Sequence, residues 1–346
     1  GNLPSQRLEL ASIAPAFADQ IERESAMTTK HLLHPELLPI IEEFEPFRFS
    51  PENIAEFRSS RSGLIQLGDA NSAGVNRQAI TISSPDTDIP CLLYTPKKRK
   101  PTAAYLHIHG GGFVAGQKEG SDPMNTKISS RLGVAVLAVG YRLAPEHPAP
   151  AGLNDCYAGL AWLYEQATTL GYDPSRIAIG GESAGGGLAA ALAIHARDEG
   201  KYTICHQHLT FPMLDDRTGT PADPADPLVG EFVWNRDNNA FGWSCYLGDQ
   251  PAAAPVVPAR VSSVADLPPA WIFTVSMDLF RDENISYAQR LLAAGIQTEL
   301  VVMPGACHGF MKQPKSSLAR RYVEDHLRAL ASALGVDVAP GSTELG

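Results

Sequence analysis

Short apolar runs alternate with stretches of helical hydrophobic spacing along this chain from about Gln78 onward. A short apolar run bounded by turn residues is typical of a buried strand, whereas apolar residues at helical spacing are typical of an amphipathic helix. Alternation of the two predicts an α/β fold in which a mostly parallel sheet is covered by helices. The predicted strands are an antiparallel opening pair at 79–83 and 90–94, followed by parallel strands at 104–109, 134–139, 177–180, 207–211, 271–275 and 299–302. The clearest predicted helices are 150–165, 184–197, 282–294 and 316–334.

Two stretches depart from this alternation. Residues 1–60 have helical spacing but no strand-like run, and the interval from 214 to about 269 separates two predicted strands. A long insertion in a compact domain usually forms a lid or a binding loop. We therefore expect a helical cap, built from residues 1–60 and an insertion at about 214–246, over a catalytic domain that occupies 61–346. The aromatic residues of the insertion either hold the cap together or contact a ligand, and the sequence leaves both open: Phe232, Trp234, Phe241, Trp243 and Tyr246.

Composition and charge are those of an ordinary globular protein. Of 346 residues, 44% are hydrophobic and 19% are charged, which argues against a disordered or fibrous chain. The formal net charge is -10, and the longest basic run is 97–100, which lies between two prolines. A run that short is typical of a solvated turn, so we expect no nucleic-acid binding.

The five cysteines argue against both disulfides and a thiolate metal site, because they are odd in number, widely spaced and include no Cys-x-x-Cys pair. We therefore expect a protein of the cytoplasm, a reducing compartment, that binds no metal. No segment reaches the roughly 18 continuous apolar residues of a membrane span, and the N-terminus lacks the layout of a signal peptide. Because the chain begins with Gly1 rather than Met, the sequence leaves open a targeting segment that has been removed.

Residues 181–185 carry the first candidate chemistry, a Gly-Glu-Ser-Ala-Gly sequence between a predicted strand and a predicted helix. A serine on a sharp strand-to-helix turn has its hydroxyl exposed for attack, and flanking glycines relieve the crowding of that turn. The pattern alone is weak because glycine and serine are both common, and its two flanks make it informative. Ser183 is therefore the candidate nucleophile.

A glycine-rich loop, His-Gly-Gly-Gly-Phe at 109–113, follows the third predicted strand. Acyl transfer creates an oxyanion that is stabilised by preorganised backbone N–H groups, and glycine allows close approach because it has no Cβ. We expect Gly111 and Gly112 to donate two such groups, and Ala184, directly after the nucleophile, to donate the third. The alternative, a phosphate-binding loop, would need a P-loop lysine or G-x-G-x-x-G spacing. His109 is expected to brace the loop rather than to catalyse.

A serine on such a turn needs a base and an acid, and the chain order is then Ser, Asp or Glu, His. His308 lies in the loop after the last predicted strand, where functional residues are common, whereas His326 lies inside an amphipathic helix. Asp278 comes first after the preceding strand, whereas Asp282 begins the next helix, where N-capping is the ordinary role. We therefore predict His308 as the base and Asp278 as the acid that fixes its tautomer and stabilises the imidazolium.

These ordered motifs resemble the hormone-sensitive-lipase-like family of α/β-hydrolase esterases. The matching segments are 109–113, 141–150, 181–185, 278–283 and 308–310, within a resemblance that covers about 70–335. It implies an α/β-hydrolase fold, with an eight-stranded, mostly parallel sheet flanked by helices and a helical cap. It also implies hydrolysis of carboxylic esters, usually with short acyl chains, without a cofactor. The chain departs from the family at Glu182, where Asp is commoner, and at Asp278-Leu279-Phe280, where Asp-Pro-Leu is common.

The resulting hypothesis is a serine carboxylesterase for short- to medium-chain acyl esters of small molecules, acting through an acyl-enzyme intermediate. Amidase, lactonase and deacetylase activity remain alternatives because a triad does not select the leaving group, and a non-catalytic ligand-binding member would usually lack a triad residue. Within 141–150, a hydrogen-bonded brace is expected from Arg142, Glu146 and His147. The sequence leaves open the substrate, the cap's mobility and the oligomeric state, with a homodimer as one alternative. Four apolar residues near the motifs are expected to line the pocket: Phe113, Phe211, Met213 and Phe310.

Overall fold

A computed structural model describes residues 29–62, 65 and 67–345 of the protein. Its centre is a single sheet of eight strands. Its strands are β1 Val75–Ser83, β2 Asp88–Pro96, β3 Ala104–Ile108, β4 Ala135–Val139, β5 Ile177–Glu182, β6 His206–Thr210, β7 Ala270–Val275 and β8 Thr298–Met303. They lie in the order β1-β2-β4-β3-β5-β6-β7-β8. β2 pairs antiparallel with both β1 and β4, and all other pairings are parallel. The predicted α/β-hydrolase fold is therefore confirmed.

Alternate residues of the central strands enter two separate apolar layers, one on each face of the sheet. In β3, Leu106 and Ile108 pack into one layer, and Tyr105 packs into the other. β4 alternates in the same way, and all of its residues are buried. Burial on both faces explains why these strands are continuous apolar runs in the sequence rather than alternating apolar and polar patterns.

Helices cover both faces of the sheet. The α-helices of the described residues are α1 Leu38–Glu42, α2 Ile54–Ser62, α3 Asp122–Leu132, α4 Ala151–Leu170, α5 Ala184–Glu199, α6 Arg236–Leu247, α7 Arg281–Ala293 and α8 Ser317–Leu334. α4, α5 and α7 contribute to one apolar layer, whereas α3 and α8 contribute to the other. Short 3-10 turns lie at Thr29–Leu32, Pro35–Leu37, Pro174–Arg176, Pro258–Arg260 and Phe310–Lys312.

The four clearest predicted helices are confirmed, with small changes at their ends. α4 continues past its predicted end because Ala167 still faces the core, and it stops where Gly171 adopts a left-handed cap with φ 94°. α3 was not among the clearest predictions. Its buried face carries Asp122, Asn125 and Ser129, and these polar residues interrupt the apolar spacing by which a helix is recognised.

The two predicted cap segments contact each other through aromatic rings. The ring of Phe49 lies 4.8 Å from that of Phe57 on α2 and 6.0 Å from that of Trp234 in the insertion. The N–H of Phe49 also donates to Oδ1 of Asn238 on α6 at 2.8 Å. Residues 1–28 of the predicted cap lie outside the described residues, and the division into a cap and a catalytic domain stays a prediction.

Candidate active site

Ser183 lies directly between the end of β5 and the start of α5, with φ 56° and ψ -122°. A non-glycine residue is strained at such a positive φ, and this strain is characteristic of a nucleophile on a sharp turn. A Cβ added to Gly181 or to Gly185 would lie 2.1 Å from the carbonyl oxygen of Ile108. Both flanking glycines are therefore required by the close approach of β3.

The structure brings Asp278 and His308 to Ser183. Nε2 of His308 lies 3.0 Å from Oγ of Ser183, and Nδ1 of the same ring lies 2.7 Å from Oδ2 of Asp278. The acid and the base follow β7 and β8, whose carboxyl ends lie at the same edge of the parallel sheet as that of β5. All three side chains are buried, so their hydrogen bonds are strengthened by a low local dielectric.

The glycine loop after β3 lies against the nucleophile turn. A Cβ added to Gly110 would lie 3.3 Å from Cβ of Ser183. Among the described residues, the N–H groups of Gly111, Gly112 and Ala184 donate no hydrogen bond. Three donors are thus unused beside the nucleophile, and they are the three that the sequence predicts for an oxyanion.

Contacts on both sides hold the glycine loop in place. A Cβ added to Gly112, where φ is 60°, would lie 2.2 Å from Cη2 of Trp234. Nδ1 of His109 donates to the carbonyl oxygen of Gly110 at 2.9 Å, and its ring stacks on Tyr141 at 4.3 Å. Burial lowers the pKa of His109 to about 4, so the ring is neutral near pH 7. His109 braces the loop, as expected.

Arg58 on α2 ties the N-terminal cap segment to the same loop. Its Nε donates to the carbonyl oxygen of Val114 at 2.6 Å, and its Nη2 donates to that of Ala144 at 2.6 Å. Nη1 also lies 2.7 Å from Oε1 of Glu146. The planar guanidinium meets three acceptors at fixed angles. Arg58 could not be recognised from the sequence, because one arginine in a helical pattern carries no signal of the distant carbonyl groups that it contacts.

The predicted brace in 141–150 rests on two of its three residues. Nη2 of Arg142 donates to Oδ1 of Asp155 on α4 at 2.8 Å, and Glu146 binds Arg58 as described. The side chain of His147 is exposed. Arg142 and Glu146 therefore anchor this segment to α4 and to α2.

Glu182, directly before the nucleophile, is paired with His107 on the neighbouring strand β3. Nδ1 of His107 lies 3.2 Å from Nδ2 of Asn125, and Nε2 of the same ring lies 3.0 Å from Oε2 of Glu182. Burial acts to raise the pKa of Glu182, but its electrostatic interaction and hydrogen bond with the His107 ring outweigh this effect, and the net pKa is lowered. Glu182 is recognisable as unusual from the sequence alone. Its partner His107 is not, because it is distant in the sequence.

A cavity of about 660 Å³ reaches Ser183 and His308. The glycine loop forms part of its wall, and Trp234 is a member of the insertion's aromatic group that lines it. Other apolar lining residues come from the cap segment and from the C-terminal part of the chain: Phe47, Phe49, Phe57, Met311 and Leu345. The reacting serine is thus reached through a mostly apolar space, which suits a small organic substrate.

Of the four residues predicted to line the pocket, Phe211 does so, and Phe113 does not. The ring of Phe113 stacks on Tyr246 of α6 at 4.1 Å and is buried. The φ values of Gly111, Gly112 and Phe113 are all positive. This unusual turn directs the Phe113 ring into the core beneath α6 rather than toward the nucleophile.

Met213 and Phe310 also lie in the core, outside the cavity lining. The methyl carbon Cε of Met213 lies 3.5 Å from the position of a Cβ on Gly242 of α6, and the ring of Phe310 stacks with Phe273 at 6.0 Å. Both residues are close to motifs in the sequence. Closeness in sequence does not determine which way a side chain points, and here the packing of the core decides it.

Residues 29–62, 65 and 67–345 contain neither a cluster of metal-binding side chains nor a membrane-spanning helix. No three His, Cys, Asp or Glu side chains of these ranges are grouped so that they could bind a metal ion. No helix in the same ranges combines the length and the apolar character that crossing a membrane requires.

Known proteins are similar to this chain in sequence and in fold. A family model described as the alpha/beta hydrolase fold matches residues 105–312. Carboxylesterase NlhH of Mycobacterium tuberculosis is 36% identical over 229 residues, which cover 65% of this chain and 72% of the relative. Ethyl acetate hydrolase of Pseudomonas putida is 31% identical over 233 residues, which cover 65% and 72%. The solved structure of a bacterial heroin esterase has a TM-score of 0.82 at 36% identity and covers 89% of this chain and 99% of that chain. This chain belongs to the hormone-sensitive-lipase-like family of α/β hydrolases.

Proposed function

We propose that this protein hydrolyses short- to medium-chain acyl esters of small molecules, with Ser183 as the nucleophile and an acyl-enzyme as the intermediate. The protein is a carboxylic ester hydrolase, the class that the names of its relatives give. The observation that carries the proposal is the position of His308, whose two ring nitrogens lie within hydrogen-bond distance of Ser183 and Asp278.

In the first step, Oγ of Ser183 attacks the carbonyl carbon of the ester while its proton passes to Nε2 of His308. The negative charge that develops on the carbonyl oxygen is stabilised by the N–H groups of Gly111, Gly112 and Ala184. Asp278 keeps the other ring proton on Nδ1 and stabilises the imidazolium.

The tetrahedral intermediate then loses its alcohol. The bond between the carbonyl carbon and the alcohol oxygen breaks, and His308 gives its proton to that oxygen. A water molecule, deprotonated by the same histidine, attacks the acyl carbon, and the carboxylic acid leaves as Ser183 regains its proton.

The cavity supports the preference for short and medium acyl chains. Its volume of about 660 Å³ lies inside the range of roughly 300–1,000 Å³ that is usual for small-molecule sites. Its aromatic walls would stabilise an acyl chain by about 0.8 kcal/mol for each buried methylene group, and this gain stops at the chain length that fills the cavity. The relative named ethyl acetate hydrolase also supports a short acyl group.

Turnover of 4-nitrophenyl acetate, butyrate, octanoate and decanoate tests the proposal. We expect the wild type to favour the shorter esters and Ser183→Ala to lose at least about 10⁴-fold in kcat. Ser129→Ala is a matched control, because this serine is buried in α3 and its Oγ has no hydrogen-bond partner in the described structure. An inert wild type, or full activity in Ser183→Ala, would contradict the proposal. A preference for decanoate would contradict only the chain length, and turnover of 4-nitroacetanilide would favour the amidase alternative.

We also propose that the protein works in a reducing compartment such as the cytoplasm. All five cysteines are free, and Cys91, Cys156 and Cys307 are buried. Thiol titration of the unfolded protein, purified without reductant, should find five free thiols. A smaller number would contradict this assignment.

A further inference from the structure

Two cationic side chains, Arg61 and Lys312, line the same cavity as Ser183. Neither has a carboxylate partner among the described residues, although the whole chain has a formal net charge of -10. The carboxylate that lines this cavity, Glu182, is already paired with His107. Two exposed positive charges without a protein counter-charge among the described residues therefore line a cavity that reaches the nucleophile.

Each of the two exposed cations lies close to another residue that lines the cavity. Lys312 belongs to the 3-10 turn that follows His308, and its Cε lies 3.9 Å from the position of a Cβ on Gly309. The guanidinium of Arg61, near the end of α2, lies 5.3 Å from the ring centroid of Phe57, which also lines the cavity. Burial and the nearby charge of Arg61 lower the pKa of Lys312, in keeping with two cations in one space.

We propose that Arg61 and Lys312 form a subsite for a carboxylate carried by the ester substrate at a distance from its ester bond. This inference rests on the proposed esterase function and specifies its substrate class, the esters that contain one free carboxylate. Two neighbouring cations repel each other, and an anion between them removes that repulsion while it forms charge-assisted hydrogen bonds.

Glu182 determines which end of the substrate carries the charge. Its carboxylate lies in the cavity wall directly before Ser183 in the chain, and its pKa is lowered by His107 even though burial opposes this. A substrate anion next to the reacting carbonyl would therefore meet a like charge. The substrate that fits is neutral at the ester and anionic where it contacts Arg61 and Lys312.

The test compares charged and neutral substrates of matched length. For a carboxylate on the acyl side, the pair is mono-4-nitrophenyl glutarate and 4-nitrophenyl valerate. For a carboxylate on the alcohol side, the pair is 4-acetoxybenzoate and 4-tolyl acetate. The measured quantity is the preference ratio, which is kcat/KM for the charged ester divided by kcat/KM for its neutral partner.

We expect the wild type to prefer the charged member of one pair, and this pair identifies the side that carries the carboxylate. Lys312→Met and Arg61→Met should each lower that ratio about tenfold, and added salt should lower it in the wild type. Lys315→Met is the matched control, because Lys315 is exposed like Lys312 and lies three residues further along, but does not line the cavity. Its ratio should equal that of the wild type.

A wild type that prefers neither charged ester, or variants that keep the wild-type ratio, would overturn the subsite. If the wild type hydrolyses 4-nitrophenyl valerate and Ser183→Ala does not, the esterase function holds even though the subsite is overturned. A wild type that hydrolyses none of the four esters would instead contradict the esterase function.

Discussion

The imidazole of His308 is held by Asp278, whose Oδ2 lies 2.7 Å from Nδ1. The second oxygen of this carboxylate accepts the N–H of Phe280 at 3.1 Å, so the acid is itself fixed. Because Asp278 can only accept when ionised, the ring proton lies on Nδ1 and Nε2 is free to accept a proton from Ser183. The proposed base is therefore prepared before any substrate binds.

Replacing Asp278 by Asn should remove that preparation. An amide N–H at this position favours the wrong imidazole tautomer, so we expect kcat to fall by about 10⁴-fold, as measured with 4-nitrophenyl acetate. Asp282→Asn is the matched control, because Asp282 is exposed in the first turn of α7 and pairs with Arg281 at 2.7 Å. The sequence predicts that Asp282 caps α7, and this prediction is wrong, because Phe280 occupies the N-cap position. Equal losses in both variants would contradict the role of Asp278.

Gly112→Ala should disable the glycine loop. The added Cβ would lie 2.2 Å from the Trp234 ring, so the loop must shift and its N–H groups move away from the oxyanion. Loss of one such donor costs about 2.7–4 kcal/mol, or roughly 10²- to 10³-fold in kcat. Gly295→Ala is the control, because its φ of 78° is similar and nothing lies within 4 Å of the added Cβ. Both variants should lose stability from backbone strain, and only Gly112→Ala should lose activity.

Buried histidines should make the protein unstable in mild acid. Burial lowers the pKa of His206 and of His326 to about 4 from the ordinary value of about 6.5. The unfolded state then binds more protons than the folded state between these pH values, so stability is complete above about pH 6.5 and decreases toward pH 4. Each histidine should contribute roughly 3 kcal/mol to this loss, measurable by urea unfolding at several pH values.

His206→Gln tests this assignment, because burial is the cause of its shift. The variant should lose less stability between pH 7 and pH 5 than the wild type, whatever its stability at pH 7. His147→Gln is the control, since that side chain is exposed, and its pH dependence should match the wild type. A steep wild-type dependence that persists in His206→Gln would assign the acid sensitivity to other groups.

Residues 336–345, here called the C-terminal strap, should limit acyl-chain length. The N–H of Ala339 donates to the carbonyl of Arg131 at 2.8 Å, and Nζ of Lys127 donates to that of Ser342 at 2.8 Å. These contacts fasten the strap to α3, and Leu345 lines the cavity. Leu345→Ala should raise kcat/KM for octanoate relative to acetate by roughly tenfold, since one to two methylene groups of space are worth about 1–3 kcal/mol.

Val338→Ala is the control for the strap, because Val338 is 39% exposed and does not line the cavity. Its ratio of octanoate to acetate turnover should equal that of the wild type. An unchanged ratio in Leu345→Ala would show that the strap does not limit the acyl chain.

The chemistry-bearing loops could be predicted from the sequence because parallel strands place their carboxyl ends at one edge. Ser183, Asp278 and His308 each follow a strand that is a clear apolar run, and their meeting follows from the topology. The glycine loop was predictable for the same reason. Strand positions, in turn, were clear because both faces of the sheet are buried.

The features that sequence analysis missed depend on partners far apart in the chain. Arg58 meets Val114 and Ala144, Glu182 meets His107, and Leu345 reaches a cavity near Ser183. No local pattern encodes such contacts. Side-chain direction was also not predictable at Phe113, where a turn of positive φ directs the ring into the core.

Covalent labelling of the nucleophile tests the central claim most directly. Diethyl 4-nitrophenyl phosphate transfers its phosphoryl group to an activated serine, with loss of 4-nitrophenol, and the adduct is located by mass spectrometry of peptides. We expect one adduct per chain, on Ser183, with loss of esterase activity in proportion to labelling and no adduct in Ser183→Ala. An adduct on a different residue, or full esterase activity in protein fully labelled at Ser183, would contradict the account.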